Sequence, residues 1–476
     1  MFDKLRDHCG VVGVFGHSEA STIAYLGLHA LQHRGQESAG VVSSNNTQLF
    51  RHRGMGLVAD VFTPAVLETL PGERAIGHVR YSTAGQSVLD NAQPFMIREQ
   101  GRQLSIAHNG NLVNADELRV ELEEQGSIFA SSTDTEVILH LIAREKDAAI
   151  ETRIARALHK VEGAYSLVFL TPEKLIAVRD PHGFRPLVLG QLRGGGWIVA
   201  SETCAFNLVE AEYVREIEPG EIVIVDEHGL RSTHMPAAEQ GGRCIFELIY
   251  FSRPDSKVFD RSVYAVRREL GRVLARTQPA EVDVVVPVPD SGVAGALGFA
   301  EQMGVPFELG LIRSHYVGRT FIEPSQSIRN FGVKLKLSVV HDVVRGKRVA
   351  VIDDSLVRGT TSRKIVSMLR AAGAKEVHLR ITAPPTKFPC YYGIDTPNQS
   401  ELLAANQTVP EIARYVTADS IGYLTLEKMH EAARSTRDKF CDACFSGDYR
   451  IPVGEARKQL VALRTPEEKL LRFGGK

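Results

Sequence analysis

The residues best suited to chemistry stand together in the run V-A-V-I-D-D-S-L-V-R-G-T-T at 349–361. Asp353 and Asp354 end a short apolar strand pattern, and adjacent carboxylates there suit ribose hydroxyls or a hydrated Mg2+. Ser355, Thr360 and Thr361 add hydroxyls, and Gly359 lets the backbone approach a ligand closely. With free N–H groups at the start of a following helix, such a loop suits a phosphate monoester. Ile365, Met368 and Leu369 share one helical face, and the pattern predicts another strand over 377–381. The unit is therefore βαβ, with its loop at the C-terminal edge of a parallel sheet, where open α/β sheets bind ligands. A lone Asp-Asp pair would be explained as well by Asp354 capping a turn that Gly359 bends. The loop has neither the G-K-[ST] of a P-loop nor the G-x-G-x-x-G of a dinucleotide site.

Taken whole, the run resembles the phosphoribosylpyrophosphate (PRPP) motif of type I phosphoribosyltransferases. The resemblance implies PRPP contacts from Asp353, Asp354, Ser355, Arg358, Gly359, Thr360 and Thr361. It gives the turn Pro289-Asp290-Ser291-Gly292, with Asp290, Ser291 and Gly292, to the pyrophosphate, although a P-D-S-G turn alone is ordinary. Ser291, Asp353 and Asp354 resemble the family's Mg2+ positions. The loop over 316–337 is too long for a plain connection and reads as an active-site lid, on which Arg319 and Lys334 would neutralise phosphate as it closes.

A second constellation begins at Cys9, the first residue of C-G-V-V-G-V-F-G. By itself a buried Cys is usually a small hydrophobe. Four further runs accompany it: L-Q-H-R-G-Q-E-S-A-G from 31, G-H-V-R-Y-S-T-A-G from 77, H-N-G-N from 108 and S-S-T-D-T-E from 131. The set resembles the glutaminase domain of class II, N-terminal-nucleophile amidotransferases. The resemblance implies that Cys9 is the nucleophile after loss of residues 1–8 as a propeptide, and that its own α-amine takes the thiol proton. An α-amine titrates near 7.7–8.0 in its free state, so no histidine is required. His33, His78 and His108 would otherwise compete for that role. By the same resemblance Asn109 and Gly110 form the oxyanion hole, Arg80 pairs with the glutamine carboxylate, and Asp134 pairs with its ammonium. Thr83 and Gly85 would shape the pocket, and Arg34 and Tyr81 would couple the two sites. A competing reading makes Thr133-x-x-Glu136 a capping box with Asp134 in the first helical turn.

Cys441-Asp-Ala-Cys444 is a C-x2-C pair, while Cys244 and Cys390 are isolated. Four thiolates could bind zinc or an iron–sulfur cluster, and spacing alone ranks zinc ahead, with unmetallated thiols a third reading. Together the two motif sets resemble the glutamine-dependent PRPP amidotransferase family, and that likeness implies one [4Fe–4S] cluster on Cys244, Cys390, Cys441 and Cys444. It places the chain in the subgroup that carries both cluster and propeptide. It further implies glutamine and PRPP as substrates, Mg2+ as cofactor, feedback by purine nucleotides and a homotetramer. Two rivals remain: another class II amidotransferase acting on a sugar phosphate or aspartate, and a PRPP-sensing transcriptional regulator.

The elements that must position these residues divide the 476-residue chain in two. Over 9–240 the pattern runs from sheet to helices to sheet: a strand over 9–15, a helix opened by Ser18, a hairpin turning at Asn45-Asn46, and strands near 75–82 and 104–109. Helices then follow over 115–125, 134–145 and 147–161, and a meander over 164–231. This matches the αββα layering that the amidotransferase resemblance implies. After a loop-like linker at 232–243, residues 241–476 read as α/β: a parallel sheet with strands over 282–288 and 307–312, and a helical tail from Ser420. Apolar content of 43%, charged content of 24% and a net charge of −1 indicate a soluble globular protein without a broad nucleic-acid footprint. No apolar run is long enough to span a membrane. Six scattered cysteines without a secretion signal predict a cytoplasmic protein without disulfides.

Overall fold

The structure is a computed structural model and describes residues 9–81, 87–99, 101–146, 148–314 and 337–454. Residues 1–8, expected to be a propeptide, Thr83, Gly85, the expected lid with Arg319 and Lys334, and the last part of the tail lie outside the described residues.

Gly10–Phe15 is buried at every position, as a strand covered on both faces must be. It lies inside a seven-stranded antiparallel sheet, between Trp197–Ala200 and Arg74–Arg80. A six-stranded sheet lies against it, with Arg102–Leu112 and Gly163–Leu170 near its middle. Between the sheets pack Val11, Val42 and Ile76 from the first and Ala107, Val168, Ala177 and Val223 from the second. Helix Ala20–Ala30 covers the outer face of the first sheet through Ala24 and Leu28. Helices Thr135–Arg144 and Ile150–Leu158 cover the second through Ile138, Leu141 and Ile154. The outcome is the expected αββα sandwich.

The second half holds a four-stranded parallel sheet in the order Val284–Pro287, Arg348–Asp353, Glu376–Ile381, Ser420–Tyr423. Along its second strand Ala350 and Ile352 face one core with Leu270 and Phe299, while Val349 and Val351 face another with Ile365 and Leu369. That period of two sends alternate side chains under the helices on opposite faces. Among the described residues no helix is long and apolar enough to cross a membrane.

Several elements differ from the expectations. The meander over 164–231 is split: Val188–Gln191, Trp197–Ala200 and Glu212–Glu216 join the first sheet, and the other strands join the second. Local alternation is the same for both sheets, so it could not reveal the division. Phe95–Glu99 is a further strand, and helix Ala20–Ala30 begins after Ser18. Gly229–His234 carries strand into the expected linker. Leu311–Arg313 leaves the main sheet and pairs antiparallel with Leu337–Val339, a ribbon at the base of the long loop. The tail from Ser420 opens with a strand, Ser420–Tyr423, the fourth of the parallel sheet, where a helix was expected.

Candidate active sites and thiol centre

Cys9 begins the central strand and is buried, with φ 64° in the region that non-glycine residues rarely occupy. Its N–H donates to Arg34 O at 3.1 Å and its thiol to Tyr81 O at 3.7 Å. Ser201 Oγ accepts from Val11 N at 3.0 Å and lies 3.4 Å from Asn109 Nδ2, so one hydroxyl ties the Cys9 strand to the facing sheet. The buried Asn109 Oδ1 has no partner among the described residues, as expected of an amide built into a site for a further polar group. Gly110 has φ 153°, and a Cβ there would lie 2.0 Å from Ala164 O, so only glycine fits. Arg80 is buried at the end of Arg74–Arg80, 3.9 Å from Glu37. Asp134 accepts from Leu112 N at 2.9 Å and lies 3.7 Å from His108 Nδ1. The capping box of the competing reading does not form. Glu136 instead accepts from Ala130 N at 2.8 Å and Ser131 N at 2.7 Å. Burial pushes the Glu136 carboxyl up, but His140, Ser131 and these amides outweigh it and hold it at about 2.

The three histidines are held by partners of their own. His78 Nε2 meets His108 O at 3.0 Å, and burial pulls its pKa down to about 3, leaving the ring neutral. His108 Nδ1 lies 3.0 Å from Thr135 Oγ1, and His33 Nε2 lies 2.7 Å from Glu202 Oε1.

A buried ion network joins the halves. Arg34 pairs with Glu202 at 2.5 Å and with Glu247 at 2.6 Å, all three side chains being fully buried. Burial pushes the Glu202 carboxyl up, yet Arg34 and His33 hold it well below the carboxylate range. Arg267 donates to Leu248 O at 3.1 Å and Ser252 O at 2.7 Å. Burial lowers its pKa to about 10, and Asp354 is the largest influence in the other direction. Arg267 thus braces the Glu247–Ser252 segment through its carbonyls while feeling the charge of Asp354. The sequence reading found Arg34 but missed Glu202, Glu247, Arg185 and Arg267, because isolated charges inside apolar runs carry no periodic signal.

At the second site Asp353 and Asp354 are buried at the C-terminal end of Arg348–Asp353. Asp353 Oδ1 accepts from Asp354 N at 2.9 Å, and Asp354 Oδ2 from Ser355 Oγ at 2.5 Å. Gly359, at φ 75°, starts helix Thr360–Ala371, and a Cβ there would meet Leu403 at 2.7 Å. Gly292 starts helix Val293–Met303, and its Cβ would lie 2.4 Å from Ile352 O, so the Pro289–Gly292 turn abuts the carboxylate strand. Asp290 pairs with Arg313 at 2.7 Å, and Arg358 with Glu401 at 2.7 Å, both near the surface. Ser291, Thr360 and Thr361 stand beside these turns as expected.

Cys244 and Cys441 are register partners of a short parallel pair, Arg243–Cys244 with Phe440–Cys441. Burial pushes the Cys244 thiol up to about 12, with Glu247 and Cys390 adding to the push. It also raises Cys441, helped by Cys244 and Cys390, and Cys444, helped by all three other thiols. The fold thus gathers the four cysteines that the sequence scatters, and Cys204 stays apart in the core of the first half. Among the described residues no three His, Cys, Asp or Glu side chains are arranged to hold a single metal ion. A cubane cluster binds each thiolate to a different iron, so its cysteines stand farther apart than around one ion.

The two halves define a class: a glutamine amidotransferase joined to a phosphoribosyltransferase. The family model for a glutamine amidotransferase domain matches 78–207, and that for a phosphoribosyl transferase domain matches 261–386. The chain is 55% identical over 450 residues to chloroplastic amidophosphoribosyltransferase 2 of Arabidopsis thaliana, covering 94% of this chain and 80% of that one. It is 48% identical over 450 residues to the Bacillus subtilis (strain 168) amidophosphoribosyltransferase, covering 94% of both. A solved structure of an allosteric regulatory enzyme of purine biosynthesis superposes with a TM-score of 0.90 at 47% identity, over 94% of this chain and 97% of that chain. The glutamine PRPP amidotransferase from B. subtilis, complexed with ADP and GMP, superposes at 0.89 and 47%, over 94% and 98%. The chain belongs to the amidophosphoribosyltransferase family.

Proposed function

We infer that the chain converts glutamine, PRPP and water to 5-phosphoribosylamine, glutamate and pyrophosphate, the first step of purine nucleotide synthesis. The observation that carries this is the presence, in one chain, of a buried Cys9 strand beside Asn109 and Gly110 and a phosphoribosyltransferase carboxylate pair, bridged by the Arg34–Glu247 ion pair. Residues 9–240 act as the glutaminase and 241–476 as the acceptor domain. Ammonia release from glutamine, measured with and without PRPP, tests the reading. PRPP-independent release with another acceptor aminated would favour a different amidotransferase, and no release at all would favour a regulator.

In the glutaminase, Arg80 and Asp134 hold the glutamine carboxylate and ammonium, and Thr83, outside the described residues, is assigned to the same ligand. The Cys9 α-amine takes the thiol proton and Sγ attacks the amide carbon. Asn109 Nδ2 and Gly110 N–H receive the oxyanion. The ammonium passes its proton to the departing ammonia, and water then hydrolyses the thioester. Ammonia displaces pyrophosphate at C1 of the ribose. Arg34 and Tyr81 couple the sites, and Arg319 and Lys334, outside the described residues, are the cations proposed to neutralise phosphate.

Asp353, Asp354 and Ser291 suit Mg2+, since two adjacent carboxylates at a strand end with a hydroxyl beside them are the hard oxygen donors that this ion takes. The ion would neutralise the pyrophosphate leaving group. Asp290, Gly292, Ser355, Arg358, Gly359, Thr360 and Thr361 would hold the remaining PRPP oxygens. Cys244, Cys390, Cys441 and Cys444 suit a [4Fe–4S] cluster, because thiols brought this close together, with Cys441 and Cys444 buried, oppose one another's ionisation unless a metal centre supplies countercharge. Anaerobically purified protein is expected to contain about four iron and four sulfide per chain. Stoichiometric zinc, or unchanged iron after Cys441→Ser with Cys444→Ser, would reject the cluster.

A chain that begins at Cys9 is expected in intact-mass measurements, with Cys9→Ala left uncleaved. The left-handed φ of 64° at Cys9 supports this: Sγ attacks the His8 carbonyl, the His8–Cys9 amide breaks as a thioester forms and the Cys9 nitrogen leaves as the amine, and water hydrolyses the thioester. Finding Met1 to His8 on every active chain would reject the terminal-amine base. Purine nucleotides are proposed as feedback ligands, in line with the ADP and GMP bound to the B. subtilis enzyme. A homotetramer and a cytoplasmic location complete the reading.

A further inference from the structure

Glu247 and Gly393 lie outside both matched domain ranges, yet the glutaminase site is suspended from them. Glu247 is fully buried in the turn Glu247–Phe251. Its Oε2 accepts from Arg34 NH2 at 2.6 Å and from Ser252 Oγ at 2.7 Å. Its Oε1 accepts from Arg34 NH1 at 3.3 Å and lies 3.1 Å from Arg185 NH1. Each arginine leads to one half of the catalytic apparatus. The Arg34 carbonyl accepts the Cys9 N–H at 3.1 Å, so it holds the nitrogen that acts as the base. Arg185 NH2 donates to Gly393 O at 3.0 Å. Gly393, at φ 102°, lies so close to the oxyanion strand that a Cβ on it would come within 3.1 Å of Gly110 C and 3.2 Å of Gly110 Cα. Asn111 Nδ2 donates to Tyr391 O at 2.8 Å and anchors the same turn to the same strand.

We propose that Glu247, Arg185 and Gly393 form a positioning unit for glutamine hydrolysis, in which one buried carboxylate sets the Cys9 amine through Arg34 and the Gly110 N–H through Arg185 and the 391–393 turn. The physical reason is that nucleophile and oxyanion donors come from different sheets and must be registered to a fraction of an ångström. A buried carboxylate shared by two guanidiniums holds that register more stiffly than apolar packing, because moving either arginine away strips the buried Glu247 of part of its compensation. Burial pushes the Glu247 carboxyl up, but Arg34 and Arg185 hold it below the usual range, so it keeps the charge this role requires. The proposal rests on Cys9 as nucleophile and Gly110 as oxyanion donor.

The test uses the full-length enzyme, with Gly393→Ala and Glu247→Gln assayed with glutamine and, separately, with ammonia. Gly393→Ala presses on Gly110 without removing any hydrogen-bonding group. It is expected to lower the glutamine-dependent kcat by about 10- to 100-fold, up to what loss of one oxyanion donor costs, with KM for glutamine nearly unchanged. Ammonia-dependent synthesis should stay near the parent rate, because the acceptor domain needs neither strand. Inhibition by the glutamine-derived aldehyde, whose thiol adduct carries the oxyanion, should weaken by the same factor as kcat. Glu247→Gln should lower the glutamine-dependent kcat and weaken the aldehyde in the same way, and if it does not fold Gly393→Ala decides alone. A parent-level glutamine kcat in Gly393→Ala, or an equal loss with glutamine and with ammonia, overturns the proposal. Cys9→Ala and Asn109→Ala run in parallel: if they keep glutamine hydrolysis, the underlying reading falls. If they lose it while Gly393→Ala does not, only the positioning unit falls.

Discussion

Cys9→Ala is expected to lose glutamine-dependent synthesis by at least about 10^4-fold, the scale on which removing a nucleophile disables covalent amide hydrolysis. Synthesis from added ammonia should continue, because Asp353 and Asp354 sit on a separate parallel sheet. The size of the loss follows from what remains. Asn109 and Gly110 still stand ready, but without a thiol no tetrahedral intermediate forms for them to stabilise. The three nearby histidines offer no substitute: His78 is held neutral by burial, and His33 and His108 are engaged with Glu202 and Thr135. The parent enzyme should show a kcat/KM for glutamine that rises with pH and levels off above about 8, since the base must be unprotonated and an α-amine titrates near 7.7–8.0. A profile that levels off near 6.5 would point back to an imidazole.

Asp353→Asn with Asp354→Asn is expected to cut PRPP-dependent synthesis by roughly 10^3-fold or more. Charge neutralisation at a departing pyrophosphate is worth several kcal/mol, and each 1.36 kcal/mol is tenfold. Basal glutamine hydrolysis should survive. The asparagines are close in shape and keep the strand, and the exchange relieves the repulsion of two adjacent buried carboxylates, so folding should be retained. Arg267 loses its main compensating charge, and its bonds to Leu248 O and Ser252 O are the next contacts to loosen. Normal phosphoribosylamine formation by the double variant would remove the carboxylates from the acceptor site. A melting curve close to the parent's separates loss of chemistry from loss of fold.

The sequence by itself determined the elements whose cause is local. The run at 349–361 had to be a buried strand, a tight loop and a helix, because apolar alternation, Gly359 and the spacing of Ile365 and Leu369 admit little else. Helices Val263–Thr277 and Val293–Met303 have a local cause of the same kind, since each buries one apolar face at helical spacing. The hairpin at Asn45-Asn46 joins Ser38–Ser44 to Leu49–Met55 through turn chemistry that needs no distant partner. The motif residues Cys9, Asn109, Gly110, Arg80 and Asp134 were legible as a set, although no local rule says that they meet.

Only the tertiary structure decided what depends on partners far along the chain. Which sheet each strand of the second half of the glutaminase joins is set by core packing, since alternation is identical for either choice. Ser420–Tyr423 is a strand because Glu376–Ile381 offers an open edge, not because Ser-Ile-Gly-Tyr prefers to be extended. Cys244, Cys390, Cys441 and Cys444 become neighbours only when a two-residue parallel pair brings Cys244 beside Cys441. The Glu247 network shows the limit most plainly. A buried carboxylate is tolerated only when cations from elsewhere compensate it; Arg34 arrives from 213 residues away, and it and Arg185 both come from the other domain, farther than a sequence window spans.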